Sequence, residues 1–383
     1  MASIRKRIWK TDDGETFTYQ VDYYDQFGKR RRKQFKKRKD ADAFLVNARG
    51  EVVAGVHTPD SESITVSQAV DVWLAACQIG RDGNDPVEPH TLRVYRQHAE
   101  LHIKPLIGEE LISRLTTPRI NSFRDQLLTG RSRSMAKRVL ASFKAVLNEA
   151  QSRGLVAQNV ARPVKINMAK RHKTEVDVPT KEEMRVLLAT AEAWTHNTQE
   201  HTRRAWRRYH ALLLTAVHSG MRASELRGLY WDHVDLRDGF IRVRQRADEN
   251  GIIGSVKSGA GKRDIPVGSQ LVQTLREWKL LCPQGRLVFP NWQGNVENYR
   301  NIHTRCWKKV CERAGLVGLF TFHSLRHFHA SMLIASDATP KEIQVEMGHN
   351  SIQMTFDTYG HLFPDDEKKR SERAVAMERE LSG

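Results

Sequence analysis

The chain has few cysteines, no long apolar run and a shortage of acids. Its 383 residues hold four cysteines, Cys77, Cys282, Cys306 and Cys311, and no two of them form a CxxC pair. That argues against a disulfide framework and fits reduced thiols in a cytoplasmic setting. No apolar run reaches the ~18 residues a membrane span needs. The opening stretch MASIRKRIWKTDDGE has no apolar core, which reads against a secretory leader. Only 45 Asp+Glu stand against 62 Lys+Arg, a formal net charge of +17. Such an excess favours a polyanionic partner, usually nucleic acid. Clustering separates this reading from simple solubility: residues 29–39, KRRRKQFKKRK, hold nine basic residues and no acid. Hydrophobic residues make up 39%, enough to build cores, and the length argues for two or three domains.

Patterning divides the chain into three segments. In residues 1–60, TFTYQVDYYD alternates, so Phe17, Tyr19, Val21 and Tyr23 share a strand face. DQFGK turns at Gly28, and RRRKQF returns as a strand. A helix starts near Asp40 with Ala41, Phe44, Leu45 and Ala48 as its apolar stripe. About three strands and a helix carrying this much charge read as a DNA-binding unit, with Arg30, Arg31, Arg32 and Lys33 as candidate contacts. The competing reading is a solvated basic tail. HTPDSESITVS reads as a linker.

Residues 64–165 read as about four helices. Ala69, Val72, Trp73 and Ala76 have helical spacing, and PHTLRVYRQHAELHI begins at Pro89 with Thr91 as candidate cap. The last helix ends at Gly154; it turns Val139, Phe143, Val146 and Leu147 inward, and Lys137, Arg138 and Lys144 outward. Lys137 and Arg138 are further candidate DNA contacts. Residues 178–383 are mainly helical and open with a Thr180–Glu183 capping box. GFIRVRQRADENGIIGSVKSGAGKRDIPV interrupts them as a short antiparallel sheet. The expected fold is mainly α with small β parts.

FHSLRHFHASM, Phe322–Met332, concentrates three histidines and an arginine. His323 and His327 stand four apart and share a helical face, a spacing that can hold zinc. A metalloprotease pair needs glutamate after the first histidine. Ser324 stands there instead, and Arg326 on the same face opposes a second cation. An anion site accounts for His323 and Arg326 together: guanidinium offers phosphate bidentate bonds and stays charged, and imidazole exchanges protons near neutrality. His327 and His329 read as buried structural histidines. SGMRASEL places Arg222 in an exposed connection, after a helix ending at Gly220 and before one that Ser224 can cap. Glu225 is spaced to orient Arg222. Lys257 sits at a glycine-rich hairpin tip, where a lysine can move onto a bound substrate. MGHNSIQMTFDTYGHLFP places His349 after a glycine, then a short helix whose end leaves Tyr359 within reach of a ligand. A phenol ionises at about pH 10, and nearby cations can make it a nucleophile.

In this order, Arg222, Lys257, His323, Arg326, His349 and Tyr359 resemble the tyrosine recombinase (phage integrase) family, through SGMRASEL, VKSGAGKRDIP, HSLRH, MGHNS and TFDTYGHL. The resemblance implies an N-terminal three-stranded sheet plus helix as an arm-type DNA-binding domain (1–60), a helical core-binding domain (64–165) and a catalytic domain (178–383). It implies a site-specific recombinase that cuts and rejoins DNA through a 3′-phosphotyrosine, to integrate and excise a phage or other mobile element. Tyr359 would attack phosphorus, Arg222 and Arg326 would hold the non-bridging oxygens, and His349 would add a hydrogen bond. Lys257 would protonate the departing 5′-oxygen, His323 would help take the tyrosyl proton or position the phosphate, and Glu225 would support Arg222. No metal and no cofactor is implied. The implied partners are double-stranded attachment-site DNA, further copies of the chain in a tetramer, a DNA-bending host factor and an excisionase. The implied place is the nucleoid in the cytoplasm of a bacterial host, without a membrane. The alternatives are a chromosome-dimer resolvase, a type IB topoisomerase or an inactive DNA-binding relative. Residues 194–209, WTHNTQEHTRRAWRRY, are longer than the family pattern expects and carry no assigned role.

Overall fold

The computed structural model describes residues 2–11, 14–81, 83–167, 177–256, 258–363 and 367–382. The chain divides into two compact units, residues 1–171 and 172–383.

The first unit opens with an antiparallel sheet of β1 (Ser3–Thr11), β2 (Gly14–Tyr24) and β3 (Arg30–Phe35), in that order, followed by α1 (Arg38–Val53). Alternation in β2 sets its inner face: Val21 and Tyr23 are buried with Ala41 and Ala48 of α1, and Tyr19, Phe35, Phe44 and Leu45 pack against them. Phe17 keeps the expected face, its ring edge-on to Tyr19 with centroids 5.8 Å apart, but it is not buried there. It pairs with Ile8 near the β1–β2 turn, lies outside this small core and is exposed.

A second core forms among α2 (Val66–Ile79), α3 (Pro89–His98), α4 (Lys104–Ile107), α5 (Thr117–Gly130) and α6 (Arg133–Ser152), around the fully buried Trp73, Phe123 and Phe143. Thr65 and Gln68 close a capping box on α2. Thr91 is not the cap of α3; Glu88 precedes Pro89, which occupies the first turn without needing an N–H. Gly154, at φ 71°, follows α6.

The helical half of the second unit begins with α7 (Lys181–Ala193), α8 (Glu200–Ser219) and α9 (Ala223–Arg227). Thr180 and Glu183 form the expected capping box on α7. The expected sheet is two separate antiparallel ones. One orders β4 (Val234–Asp235), β5 (Phe240–Val243) and β8 (Arg263–Pro266); the other pairs β6 (Gln245–Ala247) with β7 (Ile253–Ser255). Ile241, Val243 and Ile265 point from the first sheet into the main core beside α8. Then follow α10 (Ser269–Leu281), α11 (Tyr299–Asn301), α12 (Lys308–Ala314), α13 (Ser324–Ala335), α14 (Pro340–Met347), α15 (Ile352–Tyr359) and α16 (Glu367–Ser382). Residues 194–209 are a short helical turn and the first half of α8. Trp206 meets Trp194 edge to face. The buried Arg208 pairs with Glu297 at 2.9 Å and donates to the Pro290 carbonyl at 2.7 Å, so this stretch braces the 290–297 segment. Among the described residues no helix is long and apolar enough to cross a membrane.

Candidate active site

Gly220 ends α8 at φ 57°, and a Cβ there would come within 2.6 Å of the His329 ring. Only glycine fits both the left-handed turn and the close approach of α13. The chain then places Arg222 at the N-cap of α9. Its backbone N–H donates to Glu225 Oε2 at 2.9 Å, so Glu225 rather than Ser224 closes the first turn. Arg222 Nη1 also donates to Glu225 Oε1 at 2.7 Å, and Nη2 to the Gly348 carbonyl at 3.0 Å. Glu225 is 2% exposed and takes a second guanidinium: Arg263 Nη2 donates to Oε2 at 2.9 Å, and Arg263 Nε to the Glu346 carbonyl at 2.7 Å. Burial pushes the Glu225 carboxyl up, but Arg263 and then Arg222 more than reverse this and hold it at about 2. Arg263 was not among the expected residues. Its signal is alternation: Arg263 and Ile265 share the inner face of β8, and a cation on a core face needs a carboxylate.

Arg326, on α13, is buried; Nη1 donates to the Gly220 carbonyl at 2.6 Å, and Nη2 to the Met347 carbonyl. Burial, then Arg222, lowers its guanidinium to about 9, which leaves it charged at neutrality. His323 stands at the N-cap of α13, exposed. His349 follows Gly348, shares a 2.9 Å hydrogen bond between Nδ1 and Thr355 Oγ1, and stacks 6.2 Å from the Tyr359 ring. Burial, then the Arg326 and Arg222 charges, depress it to about 4.

Two expectations are corrected here. Tyr359 is not within open reach of a ligand: it is 1% exposed, because the end of α15 packs on Ala330, Ile334, Ile343 and Met347. Nor is His327 simply a structural histidine. Its Nδ1 lies 2.9 Å from Tyr359 Oη. His329 does fit the structural reading, bound to Val217 and Glu346. Burial pushes the Tyr359 phenol up to about 12, against the opposing pull of Arg326 and Arg222. Lys257 lies outside the described residues; its neighbours Val256 and Ser258 line a cavity of about 360 Å³ with Arg222, Glu225 and Asn350. Arg222, Arg326, His349 and Tyr359 thus converge in the second unit, with His323 at the start of the same helix as Arg326. Two fixed guanidiniums beside a phenol suit a phosphate and a nucleophile. Among the described residues no group of three or more His, Cys, Asp or Glu side chains is arranged to hold a metal ion.

In the first unit the basic strand is partly neutralised. Arg31, with its side chain 10% exposed, pairs with Asp25 at 2.7 Å and with Glu62 at 2.5 Å. Arg30 and Arg32 reach Asp22 from more exposed positions, and Lys33 reaches Asp60. Lys137 and Arg138 are exposed on α6.

Residues 178–365 match the model of the phage integrase family, and this stretch contains every candidate catalytic position named above. The chain belongs to the phage integrase family, the tyrosine recombinases. Its members break and rejoin DNA. The recombinase is 25% identical over 376 residues to a XerC-like tyrosine recombinase of Caldanaerobacter subterraneus subsp. tengcongensis, covering 89% of this chain and 90% of that protein. In fold it resembles the Tn1549 transposon integrase in complex with a circular intermediate DNA (TM-score 0.63, 17% identity, 83% of this chain and 99% of that one). It also resembles a lambda integrase dimer bound to a core site (TM-score 0.58, 18% identity, 94% and 95%).

Proposed function

We propose that the recombinase is the integrase of a phage or other mobile element and that Tyr359 is its nucleophile. The observation that carries this reading is the placement of the Tyr359 hydroxyl against an imidazole, in the cluster that holds Arg326, Arg222 and His349. A scissile phosphate beside the two guanidiniums would have its non-bridging oxygens neutralised as charge builds in the transition state. Tyr359 Oη forms a bond to phosphorus, the bond to the 5′-oxygen breaks, and Lys257 gives that oxygen a proton. His349 adds a hydrogen bond, and Glu225 fixes Arg222. A 5′-hydroxyl from a partner strand reverses the step. One phosphodiester replaces another, so the reaction needs no ATP.

In this reading residues 1–60 bind arm-type sites, 64–165 bind the core site and 178–383 cut. Four copies would assemble on duplex attachment sites at the bacterial nucleoid, aided by a DNA-bending host protein and an excisionase. A chromosome-dimer resolvase is the second reading; the charged N-terminal sheet speaks for an element integrase. The test is Tyr359→Phe on nicked duplexes carrying a site that the wild-type protein selects from random-sequence DNA. The variant should bind and form no covalent adduct. Adducts at wild-type yield would remove Tyr359 from the role.

A further inference from the structure

We infer that His327 is the base that aims and deprotonates Tyr359, a role that rests on the recombinase chemistry proposed above. The reacting oxygen lies 2.9 Å from His327 Nδ1. Tyr359 is 1% exposed, so bulk water is shut out as a competing acceptor. His323, which the family pattern puts in this role, sits one turn earlier at the exposed N-cap of α13. Its ring meets His327 edge-on, with centroids 4.8 Å apart, so it stands behind the imidazole that touches the nucleophile. Among the described residues, the titratable and charged groups around His327 are His323 and Arg326 on its own helix, Arg222 before α9, His349 after α14 and Tyr359 on α15. None brings a carboxylate. Burial, then His323 and Arg326, accordingly depress His327 to about 4, so the imidazole is neutral and free to accept.

The proton count closes. As the Oη–P bond forms, the phenolic proton passes to Nδ1, while Nε2 keeps its own hydrogen and the ring becomes imidazolium. The P–O5′ bond breaks and its electron pair takes a proton from the general acid. In rejoining, the imidazolium returns its proton to Oη as the phosphotyrosine bond breaks. A phosphate seated on Arg326 and Arg222 favours the charged ring, so the base strengthens when substrate binds.

Two measurements test this. Proton–nitrogen correlation NMR of the free, full-length protein should show His327 with its hydrogen on Nε2 and a bare Nδ1; a hydrogen on Nδ1 overturns the proposal. His327→Gln, on the nicked selected-site duplexes, should bind like wild type and form adduct about 100-fold more slowly or worse. Its rate should climb about tenfold per pH unit as hydroxide replaces the base. A 5′-bridging sulfur, which leaves without an acid, should not restore it. Adduct formation within about twofold of wild type, rescue by sulfur, or a loss with the wild-type pH slope would each sink the role. Wild type forming no adduct on its own selected site would instead count against the recombinase reading, and the NMR result would still decide the tautomer.

Discussion

Replacing Glu225 by Gln should destabilise the second unit strongly near neutral pH and hardly at all in acid. Glu225 is 2% exposed and bridges Arg222 and the buried Arg263. Its carboxyl titrates at about 2 in the folded chain against an ordinary 4.5. A difference of ~2.5 pH units corresponds to about 3 kcal/mol, at the low end of the ~3–5 kcal/mol for breaking a buried pair. The folded value is the depressed one. The contribution is therefore complete above the unfolded value and fades as pH falls from 4.5 toward about 2. Trp9 and Trp73 leave six of the eight tryptophans in residues 172–383, so intrinsic fluorescence reports mainly on this unit. Denaturation should show Glu225→Gln lower by about 3 kcal/mol near neutrality, or roughly 6–12 °C in Tm, with the gap closing below about pH 3. A gap that persists in acid, or is under about 1 kcal/mol at neutrality, would refute the bridging role.

Two further outcomes follow from the same structure. In the first unit, Arg30→Gln with Arg32→Gln should lower the salt slope of DNA binding by about one for each phosphate that is no longer neutralised. Arg31→Gln, which removes the guanidinium that Asp25 and Glu62 share, should instead lower stability; gel-shift titrations in salt and thermal melts separate the two. Strand cleavage should keep its rate in excess EDTA, because in the proposed reaction the cations at the phosphate are guanidiniums of the chain. A loss restored only by zinc would return His323 and His327 to a ligand role.

Much of this was legible in the sequence because the signals are local. The Thr180–Glu183 box, the Gly220 and Gly154 helix ends and the strand alternation at Val21 and Tyr23 depend on neighbours within a few residues. What escaped depends on distant partners. Arg263 meets Glu225 across 38 residues and His327 meets Tyr359 across 32, separations that leave no periodic trace. A sheet of about three strands was expected, but the place of β1 was not, because SIRKRIWKT carries too few apolar residues for alternation to mark it. Residues 194–209 look like surplus polarity until Arg208 is seen to pair with Glu297 across the core. The burial of Tyr359 is the sharpest case. A helix-end tyrosine followed by glycine reads as accessible, yet the packing of α14 and α15 on α13 closes over it.

How the site keeps a phosphate-seeking charge while folded follows from what neutralises each guanidinium. Arg222 and Arg263 share one carboxylate, so one cation in that pair is not formally balanced. Among the described residues Arg326 has no ion pair; its partners are the Gly220 and Met347 carbonyls, at the C-terminal ends of α8 and α14. Helix C-termini carry about half a negative charge each, enough to hold a buried cation in place without cancelling it as a bonded carboxylate would. Gly348 adds a third such carbonyl at Arg222. The site is thus assembled by partial charges fixed in the backbone, and a bound phosphodiester would supply the missing full charge. Burial first, and then the neighbouring cationic groups, keep His327 and His349 neutral at rest. The phenol is therefore protonated at rest, beside His327 at 2.9 Å, and a phosphodiester bound at the guanidiniums would raise the basicity of that proposed base.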